Sequence, residues 1–279
     1  MENNYETLYK KLIRLEWEDD AIIAKEPSSD DWENIKDCVV WQQMPIEHFF
    51  WLLKNKSLFL KRITENSPTI ERNPYTIFEH LFKDDLGNAA NIKKAFELIA
   101  DITYISCWYM EEYLNRSMYR EFSGDKGIAL QTTVEKLVQC LHSTSENNGW
   151  EYRFGSLLYV TDKLVKKLAI SIRGGRYELP VDNSFFTKIT SEANEKEFRL
   201  LVQDPIMLGK RIFAKPKREL YSIPVDITAT FDSLTLFKDI AGSKNFMDLL
   251  EYLLNMSGYR MEAKEDLGDN FMHYKLHRK

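Results

Sequence analysis

Residues 105–133, ISCWYMEEYLNRSMYREFSGDKGIALQTT, decide how this chain is organised. Tyr104 to Trp108 is apolar and strand-like, and Met110, Tyr113, Leu114, Met118 and Phe122 then fall at helical spacings. Gly124 and Gly127 break that pattern ahead of Ile128-Ala129-Leu130, which reads as a second strand. A strand, an aromatic-rich helix, a glycine turn and a strand thus form one connected unit, with Ile105, Cys107, Ile128 and Leu130 spaced to face one core.

Upstream, Val39 to Gln43 is strand-like, and Pro45 fits the first turn of a helix carrying Ile46, Phe49, Phe50 and Leu53 on one side. An alternating strand, Leu58 to Lys61, follows. Tyr75 to Phe82 and the stretch with Ile92, Ala95, Phe96 and Ile99 read as two inserted helices. Downstream, Thr132 and Glu135 have capping-box spacing for a helix through Leu141, and Asn148-Gly149 marks a turn into the aromatic strand Trp150 to Val160. Gly174-Gly175 makes another turn, and Phe198, Leu200 and Val202 alternate with Glu197, Arg199 and Leu201. Tyr221 to Ile227 and Leu234 to Phe237 supply further strands. Ser243 opens a helix with Phe246, Leu249, Leu250, Leu253 and Leu254 on one face and Gly258 as its stop. Short strands mixed with helices, without a repeated strand–helix–strand rhythm, predict an α+β fold with a mixed, largely antiparallel sheet and flanking helices.

The first 37 residues stand apart. They hold eleven acidic against five basic side chains, a local charge of −6 out of −5 for the chain, which leaves the rest near +1. Leu8, Leu12, Leu15 and Ile22 give a loosely apolar stripe before the turn material Pro27-Ser28-Ser29-Asp30. This predicts an acidic, detachable accessory helix over residues 1–37 and a single α+β domain over 38–279.

The 44% apolar and 13% aromatic content excludes a disordered chain, and no window approaches the roughly 20 uninterrupted apolar residues of a spanning helix. The opening MENNYETLYKKLIRLEWEDD has no positive start followed by an apolar core, so it does not read as a secretory signal. Cys38, Cys107 and Cys140 are far apart, which fits reduced thiols in a cytoplasm. Two basic runs, Lys163 to Arg176 and Lys210 to Arg218, suit phosphates, but the near-neutral body disfavours a nucleic-acid partner.

Several common sites leave no signal: no glycine-rich phosphate loop, no His-Glu-x-x-His, no Gly-x-Ser-x-Gly, and five histidines too scattered to suggest a metal. Glu195, Glu197 and Arg199 are the best candidates for polar chemistry, because residues two apart on an extended chain share a face. Arg199 then holds one carboxylate while another meets a ligand, or all three form a solvent-facing ladder on an edge strand. Cys107, on an apolar strand, reads as a small core residue. Trp108, Tyr109, Tyr113, Tyr119 and Phe122 read as a packed helix–sheet junction, from which one ring can still face a cleft.

Ser106, Cys107, Trp108, Met118, Phe122, Gly127, Ile128, Ala129 and Thr133 resemble the signature of a bacterial family designated domain of unknown function twenty-nine seventy-one. The resemblance extends to WQQMPIEHFFWLLKNKSLFLKR, NEKEFRLLV and IPVDI, covering roughly Val39 to the last helix. Tyr119 stands where the family has its Met-Trp pair, and Trp41-Gln42 where many members carry His or Arg followed by Tyr. The family's layout is in turn similar to the ADP-ribosyltransferase superfamily. That similarity implies an NAD- or nucleotide-handling enzyme serving stress or phage defence, with NAD as substrate. It casts Glu197 as the carboxylate at the nicotinamide ribose, Tyr75 or Trp108 as the stacking ring, and Gln42 as a neutral replacement at the orienting position. The alternative is a non-catalytic sensor or interaction module that keeps the fold and binds a nucleotide, nucleic acid or protein.

Overall fold

Strand Thr103–Met110 holds one of the points at which the chain passes between two compact units, since its residues through Cys107 belong to one and those from Trp108 onward to the other. The computed structural model describes residues 8–18, 21–63, 99–114, 119, 127–160, 171–173, 176–178, 185–189, 196–203, 220–263 and 271–279. The fold is α+β with a mostly antiparallel sheet and few helices. The first unit comprises Met1–Trp32, Leu60–Cys107 and Ser145–Tyr221; the second comprises Glu33–Phe59, Trp108–Thr144 and Ser222–Lys279. The sequence suggested one domain from residue 38 onward. The units divide elsewhere, because strand pairing joins segments distant in the chain.

In the first unit, strand Glu197–Gln203 pairs with Thr103–Met110 on one side and antiparallel with Glu151–Ser156 on the other. Its interior position explains why Phe198, Leu200, Leu201 and Val202 are all fully buried rather than alternating with water. Leu158–Val160 pairs in parallel with Thr187–Ile189, setting Tyr159 opposite Lys188. Ile63, Ile105, Leu157, Phe185, Phe186 and Leu201 form the apolar cluster beneath these strands.

The N-terminal segment is part of this unit, and the accessory helix is corrected. Arg14–Glu18 and Ala21–Lys25 form an antiparallel hairpin, followed by a helix over Ser29–Ile35. Arg14-Leu15-Glu16-Trp17-Glu18 alternates polar and apolar residues, a two-residue period that wins over the three-to-four spacing of Leu8, Leu12 and Leu15. Leu8 and Leu12 are buried, the Ile13 N–H donates to the Phe154 carbonyl at 2.7 Å, and Trp32 packs edge-on against Phe154. Ser28, read as turn material, caps the helix reciprocally: Asp31 N–H donates to its hydroxyl, and its own N–H donates to the Asp31 carboxylate.

In the second unit, Val39–Pro45 lies antiparallel to Gly127–Thr133, which pairs with Ser233–Phe237. Phe271–Arg278 then sits between Ser233–Phe237 and Tyr259–Ala263. Helix Ile46–Asn55 buries Phe49, Leu52 and Leu53, with Pro45 as its N-cap rather than its first turn. Helix Val134–Asn148 starts with Lys136 N–H donating to Thr133, one residue later than the expected cap, because the Thr132 hydroxyl is taken by the Thr230 carbonyl. Helix Lys244–Met256 follows Ser243 and ends at Gly258, whose φ of 84° makes glycine the natural stop.

The helix expected from Met110 through Leu114 is a strand end and a bend. Tyr109 and Met110 pair with Trp41 and Val40, and the Trp41 indole N–H holds the Glu111 carbonyl at 2.9 Å. The two inserted helices fall mostly outside the described residues, although residues 99–102 are helical. Glu195, Tyr75, Gly174-Gly175 and nearly all of the two basic runs also lie outside them. Among the described residues no helix is long and apolar enough to cross a membrane.

Candidate functional site

Strand Glu197–Gln203 begins just after Lys196, which holds a left-handed φ of 39°. The extended chain that follows points Glu197 and Arg199 to the same side, as their spacing predicts. Arg199 Nε donates to Glu197 Oε1 at 2.8 Å and its Nη2 lies 2.6 Å from the same oxygen, while Nη1 donates to the Phe185 carbonyl at 2.6 Å. Lys188 comes from the parallel pair and reaches the other carboxylate oxygen at 3.1 Å. The Glu197 N–H donates to the Tyr159 hydroxyl at 2.9 Å, so the residue opposite Lys188 anchors the backbone of the same glutamate.

This is an interior ion cluster, and the edge-strand ladder does not form. Glu197 is 6% exposed and Arg199 2%. Burial works to raise the Glu197 carboxyl, but the charges of Arg199 and Lys188, with hydrogen bonds from the Cys107 thiol and Arg199, outweigh it and hold the group below its ordinary range. The carboxylate therefore stays ionised, with a cation on each oxygen. Chemically the arrangement clamps three strands, 103–110, 187–189 and 197–203, through one charged centre.

Cys107 is corrected as well: it is exposed at the margin of this cluster, because the apolar cluster that covers Ile105 does not include it and its thiol bonds Glu197 instead. Cys38 and Cys140 are half-buried, and burial pushes both of their thiols up.

Trp108 and Gln42 belong to the second unit. Trp108 is 1% exposed, its ring stacked at 15° on Phe231 with centroids 6.4 Å apart, so it packs in the core and presents no face to a cleft. Gln42 is half-buried on its strand opposite Leu130. Of the six candidate residues, the structure brings together Glu197 and Arg199.

Lys188 and Tyr159 escaped sequence reasoning. The readable signal was Phe185-Phe186-Thr187-Lys188-Ile189, a lone cation in a β-branched and aromatic run, a pattern that calls for a buried counter-ion. Among the described residues no group of histidine, cysteine or acidic side chains is arranged to hold a metal. Scans against protein-family models, curated proteins and solved structures return no match to this chain.

Proposed function

We propose that the chain is a non-catalytic interaction module, one that keeps the ADP-ribosyltransferase-like build implied by its family resemblance without the NAD chemistry. The observation that carries this reading is the engagement of Glu197. A carboxylate that stabilises a developing oxocarbenium ion must meet the substrate, whereas this one is 6% exposed and carries Arg199 on one oxygen and Lys188 on the other. Burying Trp108 against Phe231 removes one of the two rings proposed to stack on nicotinamide, which supports the same reading.

The test is calorimetry with NAD, together with NAD consumption by the protein alone and with cell lysate, for the wild type and Glu197→Gln. The module reading expects no binding, no consumption, and a variant whose defect is in stability. NAD turnover that Glu197→Gln abolishes, with the unfolding curve unmoved, overturns it.

A further inference from the structure

Strand Tyr259–Ala263 ends its sheet: it pairs with Phe271–Arg278 on one side, and among the described residues no strand pairs with the other. The phase of its hydrogen bonds is set just before it begins, where the Lys279 N–H donates to the Gly258 carbonyl at 2.9 Å and the two residues occupy the next register position. Bonded and non-bonded pairs alternate along an antiparallel ladder, so Arg260 and Glu262 direct their backbone bonds to His277 and Lys275. The N–H and C=O of Tyr259, Met261 and Ala263 therefore point to the open side. Side chains alternate across the faces, with Tyr259 buried on one and Arg260 and Glu262 exposed on the other. No proline and no excess of one charge guards this edge.

Those two charges identify what fits. We propose that Tyr259–Ala263 pairs antiparallel with the same strand of a second copy, about a two-fold axis through Met261. A two-fold interface must complement itself. Centred on Met261, this one does: Met261 exchanges both backbone bonds with its own counterpart, Tyr259 exchanges them with the second copy's Ala263, and Arg260 stands opposite the second copy's Glu262 at a Cα separation of roughly 4.5 Å. The row across the join then runs Lys275, Glu262, the second copy's Arg260 and its His277, with unlike signs adjacent at the centre. The neighbouring registers that keep the same hydrogen-bond phase are centred on Arg260 or on Glu262, and each sets like charge against like charge. Arg260 joins no ion pair among the described residues, and Glu262, which lies 3.1 Å from His277 Nε2, keeps its side chain 72% exposed. Met261 is half-buried in the single chain, and the pairing covers it. A five-residue strand makes a small interface, so a weak dimer in the micromolar range or above is expected. The pairing is independent of whether the chain handles NAD.

Sedimentation velocity of the full chain, from about 1 µM to about 1 mM, measures the dimer. The wild type should associate within that range, and more weakly at higher salt. Glu262→Arg and Arg260→Glu should each weaken it about tenfold or more, because each turns both unlike pairs into like ones. Joined in one chain, the two substitutions exchange the charges and should restore association to the wild-type level. Mixed as two separate proteins, the single variants should form a heterodimer tighter than either forms alone, an outcome that loss of folding cannot produce. Met261→Pro removes an N–H that the ladder with Phe271–Arg278 does not use, so it should abolish the dimer and leave the melting curve in place.

A chain that stays monomeric across the whole range overturns the proposal. So does a dimer indifferent to the charge reversals, or one that a folded Met261→Pro leaves intact, since either assigns the contact to another surface. If Met261→Pro melts early, the mixture of the two charge variants decides, and its failure to associate refutes the edge pairing. NAD turnover dependent on Glu197 would defeat the interaction-module reading and leave the dimer standing; a monomer with no NAD binding defeats the dimer alone.

Discussion

Replacing Glu197 by glutamine deletes one negative charge from between two buried cations and changes almost nothing in volume. The amide oxygen can still accept from one of the two cations, but its NH2 group then faces the other, donor against donor. Two unit charges about 4 Å apart attract by about 4 kcal/mol at an effective dielectric of 20, and each cation loses such a partner. Removing one member of a buried ion pair typically costs about 3–5 kcal/mol once relaxation is counted, and that is the expected loss here. For a unit of this size, about 2–4 °C per kcal/mol puts the fall in Tm on the order of 6–20 °C. Urea unfolding followed by Trp fluorescence at pH 7 measures it. Replacing Lys188, Glu197 and Arg199 together by methionine is expected to recover much of the loss, because it removes the uncompensated charge. A shift below about 0.5 kcal/mol for Glu197→Gln, the size of an ordinary surface substitution, refutes the structural clamp.

Three further outcomes follow from other parts of the structure. The Glu197 carboxyl lies below its ordinary value of 4.5 in the folded chain, so its contribution is present above that pH and is lost as pH falls through the folded value; acid unfolding below about pH 4.5 should be steeper for the wild type than for Glu197→Gln, and equal slopes in an acid titration by circular dichroism would contradict it. Trp108→Ala empties a site that is 1% exposed and should cost about 3–5 kcal/mol in urea unfolding, whereas an unchanged curve would mean the ring is not packed as described. Gly155→Ala places a methyl carbon 2.5 Å from the Ile13 carbonyl oxygen, a backbone atom that must shift, so a loss of about 1–3 kcal/mol and earlier proteolysis of the N-terminal hairpin are expected; a neutral result would detach that hairpin from the first unit.

The elements whose own residues carry a clear period were the legible ones, however distant their partners. Val39–Pro45, Ile46–Asn55, Ser57–Arg62, Gly127–Thr133 and Lys244–Met256 carry clean two- or 3.6-residue periods with turn residues at their ends. Tyr109 and Met110 were misread because a strand 68 to 70 residues away claims them through Trp41 and Val40, a preference no local window contains. The hairpin over residues 14–25 was misread because leucines spaced three and four apart mimic a helix when Trp17 and the Ile22-Ile23 pair are given less weight. Glu197 and Arg199 were legible as a pair from the two-residue spacing alone. Their burial was not, since it depends on Lys188 and on flanking strands that pair through the sheet.

The interleaving of the two units has a consequence for biosynthesis. Six alternating segments mean that the growing chain changes unit five times, so no single cleavage separates one unit from the other, and neither can be expressed as one contiguous fragment. In the second unit the strand Phe271–Arg278 slots between Ser233–Phe237 and Tyr259–Ala263, both already synthesised when it emerges. At roughly 5–20 residues per second, the edges of those earlier strands wait for their partner on the ribosome. Their unpaired hydrogen-bonding groups are open to wrong pairing during that interval.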